Sequence, residues 1–129
     1  MLREDQAVPA AAALAPPAEP GDPYWRALLE DRWRARLQEV TRLSLAFHQA
    51  AAPPDGQDGD AGSRQAERLL RRTVAARRKL ADIEEALGRL AAGDFGRCEQ
   101  CRSPLARELL AVVPETRYCP ACAESAWSA

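Results

Sequence analysis

Two Cys-x-x-Cys pairs near the C-terminus constrain this chain more than any other feature of its sequence. Cys98 and Cys101 form the first pair, and Cys119 and Cys122 form the second after a gap of seventeen residues. These are all four cysteines of the 129-residue protein. Each pair can bind a metal ion from a tight turn, and two such turns complete a tetrahedral thiolate shell. Four thiolates favour zinc and leave no open position for a catalytic water, so we predict one structural Zn2+.

Two other interpretations of the cysteines are two disulfides or four free buried thiols. No hydrophobic signal segment is evident at the N-terminus, so we expect a reducing, cytoplasmic compartment, which disfavours disulfides. Arg102 and Ala123 follow the two pairs at positions where glycine is usual, because the backbone there often adopts a positive φ. We therefore expect some strain in both turns.

The N-terminal residues 1–22 are rich in alanine and proline and predict a disordered tail. Hydrophobic residues make up 47% of the chain, but many of them are alanines, which favours a small core. The net charge of −1 provides no general attraction to nucleic acids or membranes. No apolar run approaches the roughly 20 residues that span a bilayer, so we expect no membrane association.

Residues 23–93 predict a helical hairpin with a tip at residues 53–62. Asp22 and Pro23 are suited to begin the first helix, and Pro53 follows its end at about Ala52. Ser63 is placed to cap the second helix, which runs to about Ala92 before a stop at Gly93. The fold class is therefore mainly α, with a small four-cysteine finger at residues 94–129.

Each predicted helix carries one apolar stripe, interrupted in the first helix by a serine. The stripe of the first helix consists of Trp25, Leu29, Trp33, Leu37, Val40, Ser44 and Phe47. The stripe of the second helix consists of Leu69, Thr73, Ala76, Leu80, Ile83, Leu87 and Leu90. The second stripe alternates steps of three and four, which is typical of a heptad seam. A short connection predicts that the two helices pair as an antiparallel coiled coil.

The predicted tip is acidic, because it contains Asp55, Asp58 and Asp60. These carboxylates fit a solvated turn, since aspartate and glycine are common turn residues. They also fit an oxygen-ligand cation site, although the spacing is not that of a calcium-binding loop. A third possibility is that the hairpin carries them to a metal or a basic site of a partner.

The second helix is basic, with eight basic residues against four acidic ones. We interpret Arg71, Arg72 and Arg78 as a docking surface for an acidic partner. The alternative is a solvated helix face with ion pairs four residues apart, such as Glu85 with Arg89. From Asp94 onward four basic residues face five acidic ones, and no recognition helix is evident. These features argue against sequence-specific nucleic-acid binding, and the thin hairpin argues against an enzyme.

The segment DFGRCEQC at residues 94–101, the second pair Cys119-Pro120-Ala121-Cys122 and the preceding hairpin resemble the DksA/TraR C4-type zinc-finger family. The similarity covers about residues 23–123. It implies a monomeric, stringent-response-like transcription regulator that binds RNA polymerase. In that family the coiled coil enters the secondary channel and alters promoter open complexes. The resemblance places Asp55 and Asp58 on the tip aspartates near the catalytic centre, and it makes polymerase the expected partner for Arg71, Arg72 and Arg78.

Several positions depart from the family pattern. Asp60 stands where the family has alanine. The basic residues with which known members help bind the alarmone ppGpp match Asp82, Val113 and Ala123 here, which argues against ppGpp binding. Two other functions stay open: a transcript-cleavage factor like the Gre proteins, whose tip carboxylates bring a second Mg2+, and a general zinc-finger interaction module.

Overall fold

Two long helices account for most of the protein described by the computed structural model, which covers residues 20–52 and 59–128. Helices α1 and α2 span Asp22–Ala51 and Gly59–Ala92, and the short helices α3 and α4 span Arg107–Val112 and Pro120–Ser128. Within these ranges the only β-type pairing is an isolated bridge between Arg97 and Pro104. The mainly α fold with a helical hairpin is therefore confirmed.

Parts of the predicted tail and tip lie outside the described residues. Residues 1–19 and 53–58 are not described, and Asp55 and Asp58 fall in the second of these gaps. Asp60 lies in the first turn of α2, where only its backbone is described. The disordered tail and the acidic tip consequently stay predictions.

Helix α2 begins at Gly59, four residues before the predicted cap at Ser63. The reason lies in its packing against the end of α1. A Cβ atom added at Gly62 would lie 3.9 Å from the carbonyl oxygen of Ala50, so the two backbones are close there. Tertiary contact thus extends the helix through residues of low helix propensity.

The other end of α2 is as predicted. Gly93 has a φ of 80°, its amide donates to the carbonyl of Leu90 at 3.1 Å, and the amide of Asp94 donates to the carbonyl of Arg89 at 2.8 Å. This pair of bonds is the Schellman arrangement, which satisfies the last carbonyls of a helix. Glycine is needed because few other residues adopt this backbone conformation.

The chain divides into two compact units. The hairpin unit is Asp31–Glu84, and the finger unit combines Met1–Glu30 with Glu85–Ala129, of which residues 20–30 and 85–128 are described. The core of the finger unit includes Trp25, Leu29 and Leu90, each at most 6% exposed. The rings of Trp25 and Phe95 are 5.6 Å apart, so the start of α1 packs against the start of the finger.

The hairpin unit is held by a narrow seam. Val40, Leu43 and Ala76 form its buried cluster, with Leu69 and Leu80 packed against it. Thr73 on the same seam is also buried, and its hydroxyl donates to the carbonyl of Leu69 at 2.7 Å. The buried polar group therefore has a partner within its own helix.

Cross-helix hydrogen bonds flank the seam. The indole nitrogen of Trp33 donates to Glu84 at 3.0 Å, and the guanidinium of Arg77 donates to the hydroxyl of Ser44 at 3.4 Å. Both bonds are exposed to solvent, so we expect them to favour the observed helix register more than they add stability.

The predicted stripe of α1 is wrong at Leu37 and misses Leu43. Leu37 is 38% exposed, whereas Leu43, which was not predicted, is 2% exposed. The buried face passes through half-buried Arg36 instead of Leu37, and through Leu43 next to half-buried Ser44. The predicted stripe took three successive steps of four from Trp25, and each such step advances about 40° beyond a full turn. By Leu37 the stripe had rotated off the contact face.

The predicted seam of α2 is largely confirmed. Thr73, Ala76, Ile83 and Leu90 are buried, and the remaining three positions are partly buried. Ala86 is fully buried as well, although it was not predicted. Among the described residues, no helix combines the length and the apolar composition that a bilayer crossing requires.

Candidate metal centre

The finger unit brings all four cysteines together. One sulfur atom from each of Cys98, Cys101, Cys119 and Cys122 lies within 4.8 Å of the other three, and the sulfurs of Cys101 and Cys119 are 3.9 Å apart. Tetrahedral zinc with Zn–S bonds of about 2.3 Å requires sulfur separations of about 3.8 Å. The donor set and its spacing fit zinc, and the predicted zinc-binding site is confirmed.

The first metal-binding turn is built on the bridge between Arg97 and Pro104. The amide of Cys98 donates to the carbonyl of Ser103, and the amide of Arg102 donates to the carbonyl of Cys98, each at 2.9 Å. The amide of Cys101 points at the sulfur of Cys98 at 3.5 Å. The backbone therefore presents two sulfurs on one side of the turn and stabilises the charge on one of them.

The second metal-binding turn leads directly into α4. The amide of Cys122 lies 3.5 Å from the sulfur of Cys119, and the amide of Ala123 donates to the carbonyl of Cys119 at 2.9 Å. Ala123 lies inside α4, so the expected strain at this position is wrong. The helix continues through the turn and removes the need for glycine.

Arg102 does adopt the expected strained backbone, with a φ of 65°. Its guanidinium donates to the carboxylate of Asp94 at 2.7 Å, and Arg97 donates to the carbonyl of Arg102 at 3.2 Å. The hydrogen bond from Arg102 to Asp94 raises the pKa of this guanidinium. The side chain of Arg102 thus ties the first metal-binding turn to Asp94, which a glycine at this position could not do.

The thiols differ in proton affinity before metal binds. Hydrogen bonding from the backbone of Cys101 lowers the pKa of Cys98 to about 6, although burial opposes this shift. The hydroxyl of Ser103 lowers the pKa of Cys101. The hydrogen bond with Cys119, followed by burial, raises the pKa of Cys122 to about 12. Cys98 is therefore the first thiolate available to an incoming cation, and Cys122 has to release its proton.

The predicted docking arginines lie on the surface of α2. Arg71, Arg72 and Arg78 are exposed. Arg71 and Arg72 line a shallow groove of about 290 Å³ together with Arg68 and Ala75. The structure thus places two of the three predicted arginines in one groove.

Two features near these sites were not predicted. Leu70 and Val74, on the basic part of α2, are 46% and 49% exposed. In the finger unit, Glu85 pairs with Arg117 and Arg89 pairs with Glu99, whereas the alternative of a solvated helix face would have paired Glu85 with Arg89. The only sequence signal for these ion pairs was the presence of charged residues within the first cysteine pair and just before the second.

Comparison of the sequence with known proteins gives a short match and no assigned function. No protein-family model matches the chain. An uncharacterized protein of Aquifex aeolicus (strain VF5) is 40% identical over 45 residues, which is 35% of this chain and 31% of that protein. The match spans about a third of the length of the relative and carries no functional assignment.

Comparison with solved structures is more informative. The structure of transcription factor DksA2 from Pseudomonas aeruginosa is similar with a TM-score of 0.78 and 26% sequence identity. The similarity covers 97% of this chain and 95% of the DksA2 chain. The predicted resemblance to the DksA/TraR family is thereby confirmed at the level of the structure, and the four cysteines are clustered as in a zinc finger.

Proposed function

We propose that this protein is a DksA-like transcription factor that acts by binding RNA polymerase rather than promoter DNA. The observation that carries the proposal is the similarity to transcription factor DksA2 over 97% of the chain. The balanced charge of the finger supports a protein partner, because nucleic-acid binding requires a concentration of basic residues on the docking element.

The hairpin is the element that we expect to enter the polymerase. Helices α1 and α2 contain 30 and 34 residues. Each helix is only about 10–12 Å thick with its side chains, so the pair fits a narrow channel that would exclude a globular domain. By the family resemblance the channel is the secondary channel, and Asp55 and Asp58 would approach the catalytic centre and change the lifetime of the open complex.

The α2 surface around Arg71 and Arg78 is the proposed docking surface. Within the described chain neither arginine makes an ion pair or a hydrogen bond, so both guanidinium groups are available to a partner. Leu70 and Val74 are exposed on the same stretch of helix. Arginine mixed with apolar side chains is typical of protein interfaces, whereas a phosphate backbone would need the charge alone. The partner surface is therefore expected to be acidic with apolar contacts.

A direct test is the titration of labelled, zinc-loaded protein with RNA polymerase, together with the lifetime of open complexes after a competitor is added. We expect saturable polymerase binding and a changed lifetime. Arg71→Ala combined with Arg78→Ala should weaken binding about tenfold or more if both arginines are interface contacts. Arg107→Ala, on an exposed residue of α3, is the matched control.

Two results would contradict the proposal. One is the absence of polymerase binding by zinc-loaded protein. The other is binding to free DNA that falls steeply with salt, which indicates phosphate neutralisation. Cleavage of transcripts in stalled complexes would instead favour the alternative of a Gre-like factor.

A further inference from the structure

Four charged side chains join the last turns of α2 to both metal-binding turns. Arg89 and Glu99 approach to 3.5 Å, and the guanidinium of Arg117 contacts the carboxylate of Glu85. Glu99 lies inside the first cysteine pair, and Arg117 lies two residues before Cys119. We call Glu85, Arg89, Glu99 and Arg117 the charge clamp.

The backbone closes the clamp into a ring. The amide of Glu99 donates to the carbonyl of Arg117 at 2.8 Å, so the two finger residues are also bonded to each other. The side chains of Arg89 and Glu99 are 15% and 34% exposed, which limits screening of this pair by water. The ring runs from α2 through the second metal-binding turn, across to the first turn and back to α2.

The pairing differs from what α2 would adopt alone. Glu85 and Arg89 are four residues apart on one helix, a spacing at which opposite charges attract each other. In the folded protein each side chain binds a finger residue instead. This exchange requires Glu99 and Arg117 to stay next to each other, and the two cysteine pairs hold them there when they share one metal ion.

We propose that the charge clamp couples zinc occupancy to the last turns of α2. The bound metal keeps Glu99 and Arg117 in position for α2, and α2 in turn slows the loss of metal. Such a coupling is reciprocal, because any effect of one site on the other acts equally in both directions. When zinc leaves, Glu85 and Arg89 become free to pair with each other. The four residues are positioning residues, since none of them is a ligand.

A simpler explanation makes the opposite prediction. A zinc ion with four thiolates carries a net charge of about −2, so nearby arginines would stabilise it by attraction alone. In that case the glutamates would be unfavourable, and their neutralisation would slow zinc loss. The charge clamp predicts that neutralising either glutamate accelerates zinc loss.

The test measures the rate of zinc transfer from the full-length protein to an excess of a chromophoric chelator. Glu85→Gln and Glu99→Gln should each release zinc about three- to tenfold faster, which is less than the roughly 10- to 100-fold effect of groups bonded directly to a ligand. Glu108→Gln is the matched control, because Glu108 is exposed and, among the residues that the structure describes, its ion pair is with the neighbouring Arg107 at 3.6 Å. Its release rate should equal that of the wild type.

Charge reversal at Glu99 separates pairing from simple charge. Glu99→Arg alone should release zinc faster if the ion pair with Arg89 matters, whereas attraction to the zinc site alone would make it release zinc more slowly. A charge exchange then tests the pair itself. Arg89→Glu should release zinc faster, and the combination of Arg89→Glu with Glu99→Arg should return the rate to within about twofold of the wild type. The absorption spectrum of the cobalt-substituted variants checks that four thiolates still bind the metal. The glutamine variants preserve side-chain size, so they keep the test decisive even if the charge reversal prevents folding.

Hydrogen exchange provides the reciprocal measurement. Removal of zinc should accelerate amide exchange in residues 85–92 of α2, and this dependence on zinc should weaken in the Glu99→Gln variant. The proposal is overturned if both glutamine variants release zinc at or below the rate of Glu108→Gln. It is equally overturned if the exchanged pair releases zinc as fast as Arg89→Glu alone. None of these measurements involves RNA polymerase.

Discussion

Arg102 holds a left-handed backbone conformation next to the first metal-binding turn while its guanidinium donates to Asp94 at 2.7 Å. The backbone strain and the ion pair act in opposite directions. Arg102→Ala should lower the melting temperature of the zinc-loaded protein, because it keeps the strain and loses the attachment. Arg102→Gly should have a higher melting temperature than Arg102→Ala, since glycine adopts this conformation without strain. Equal melting temperatures for the two variants would contradict this account of the turn.

Removal of the metal should unfold the finger and spare the hairpin. Cys98→Ser or Cys119→Ser should abolish zinc binding, because the energy of metal binding is also folding energy in such sites. Far-UV circular dichroism should retain most of the helical signal, which comes from α1 and α2. Tryptophan fluorescence should change as Trp25 loses its contact with Phe95. Metal analysis of the wild type should give one zinc per chain, and iron or no metal would refute the assignment.

Zinc affinity should fall as the pH falls. Binding requires thiolates, so each thiol that is protonated in the metal-free protein releases a proton. Between pH 8 and pH 6.5 Cys98, with a pKa of about 6, is already ionised, whereas Cys122, with a pKa of about 12, has to release one proton. The affinity should therefore decrease by at least about tenfold per pH unit in this range. Competition with a chelator of known pH dependence measures it, and a flat profile would be inconsistent with four thiolate ligands.

The shift in the α1 stripe can be tested with two leucines of the same helix. Leu43→Ala removes a side chain that is 2% exposed and should cost about 2–5 kcal/mol of unfolding free energy. Leu37→Ala, at a position that is 38% exposed, should cost less than about 0.5 kcal/mol. Urea denaturation of the zinc-loaded variants measures both. The reverse order would mean that the seam passes through Leu37 after all.

Substitution of the tip aspartates should change the regulation of transcription without weakening the binding of RNA polymerase. Asp55→Asn with Asp58→Asn should leave polymerase binding nearly intact, since exposed carboxylates gain little from pairing in water. The same change should abolish the altered open-complex lifetime if these charges act near the catalytic centre. Asp60→Ala, which restores the family pattern, should keep or strengthen the effect. Asp31→Asn, on the exposed surface of α1, is the control. A double variant that regulates normally, or that fails to bind, would contradict the role of the tip.

The features that were predictable from sequence depend on local spacing. The cysteine pairs, the Gly93 stop and the α2 seam all follow from residues within a few positions of one another. The structure differs from the sequence-based expectations where two local arrangements of the same residues are nearly equal in energy. Glu85 and Arg89 could pair with each other or with the finger, and only the fold brings Arg117 within reach. Ala123 could occupy a strained turn or a helix, and the continuation of α4 decides between them.

The start of α2 was mispredicted for a related reason. Gly59 and Gly62 disfavour a helix by propensity, but the proximity of Ala50 is a tertiary contact that no local pattern reports. The one-residue shift at Leu43 has a similar origin, because a partner helix selects which of two adjacent positions is buried.

The small side chains of the hairpin seam also limit the width of the hairpin. Thr73 and Ala76 are both buried between α1 and α2. Residues of this size allow helix axes to approach towards the lower limit of about 8 Å, whereas bulkier contacts separate them to about 10 Å. A leucine at either position would wedge the helices apart and widen the hairpin at that level. We therefore expect Thr73 and Ala76 to tolerate replacements of equal volume better than larger ones. Both the stability of the hairpin and its width depend on these two side chains.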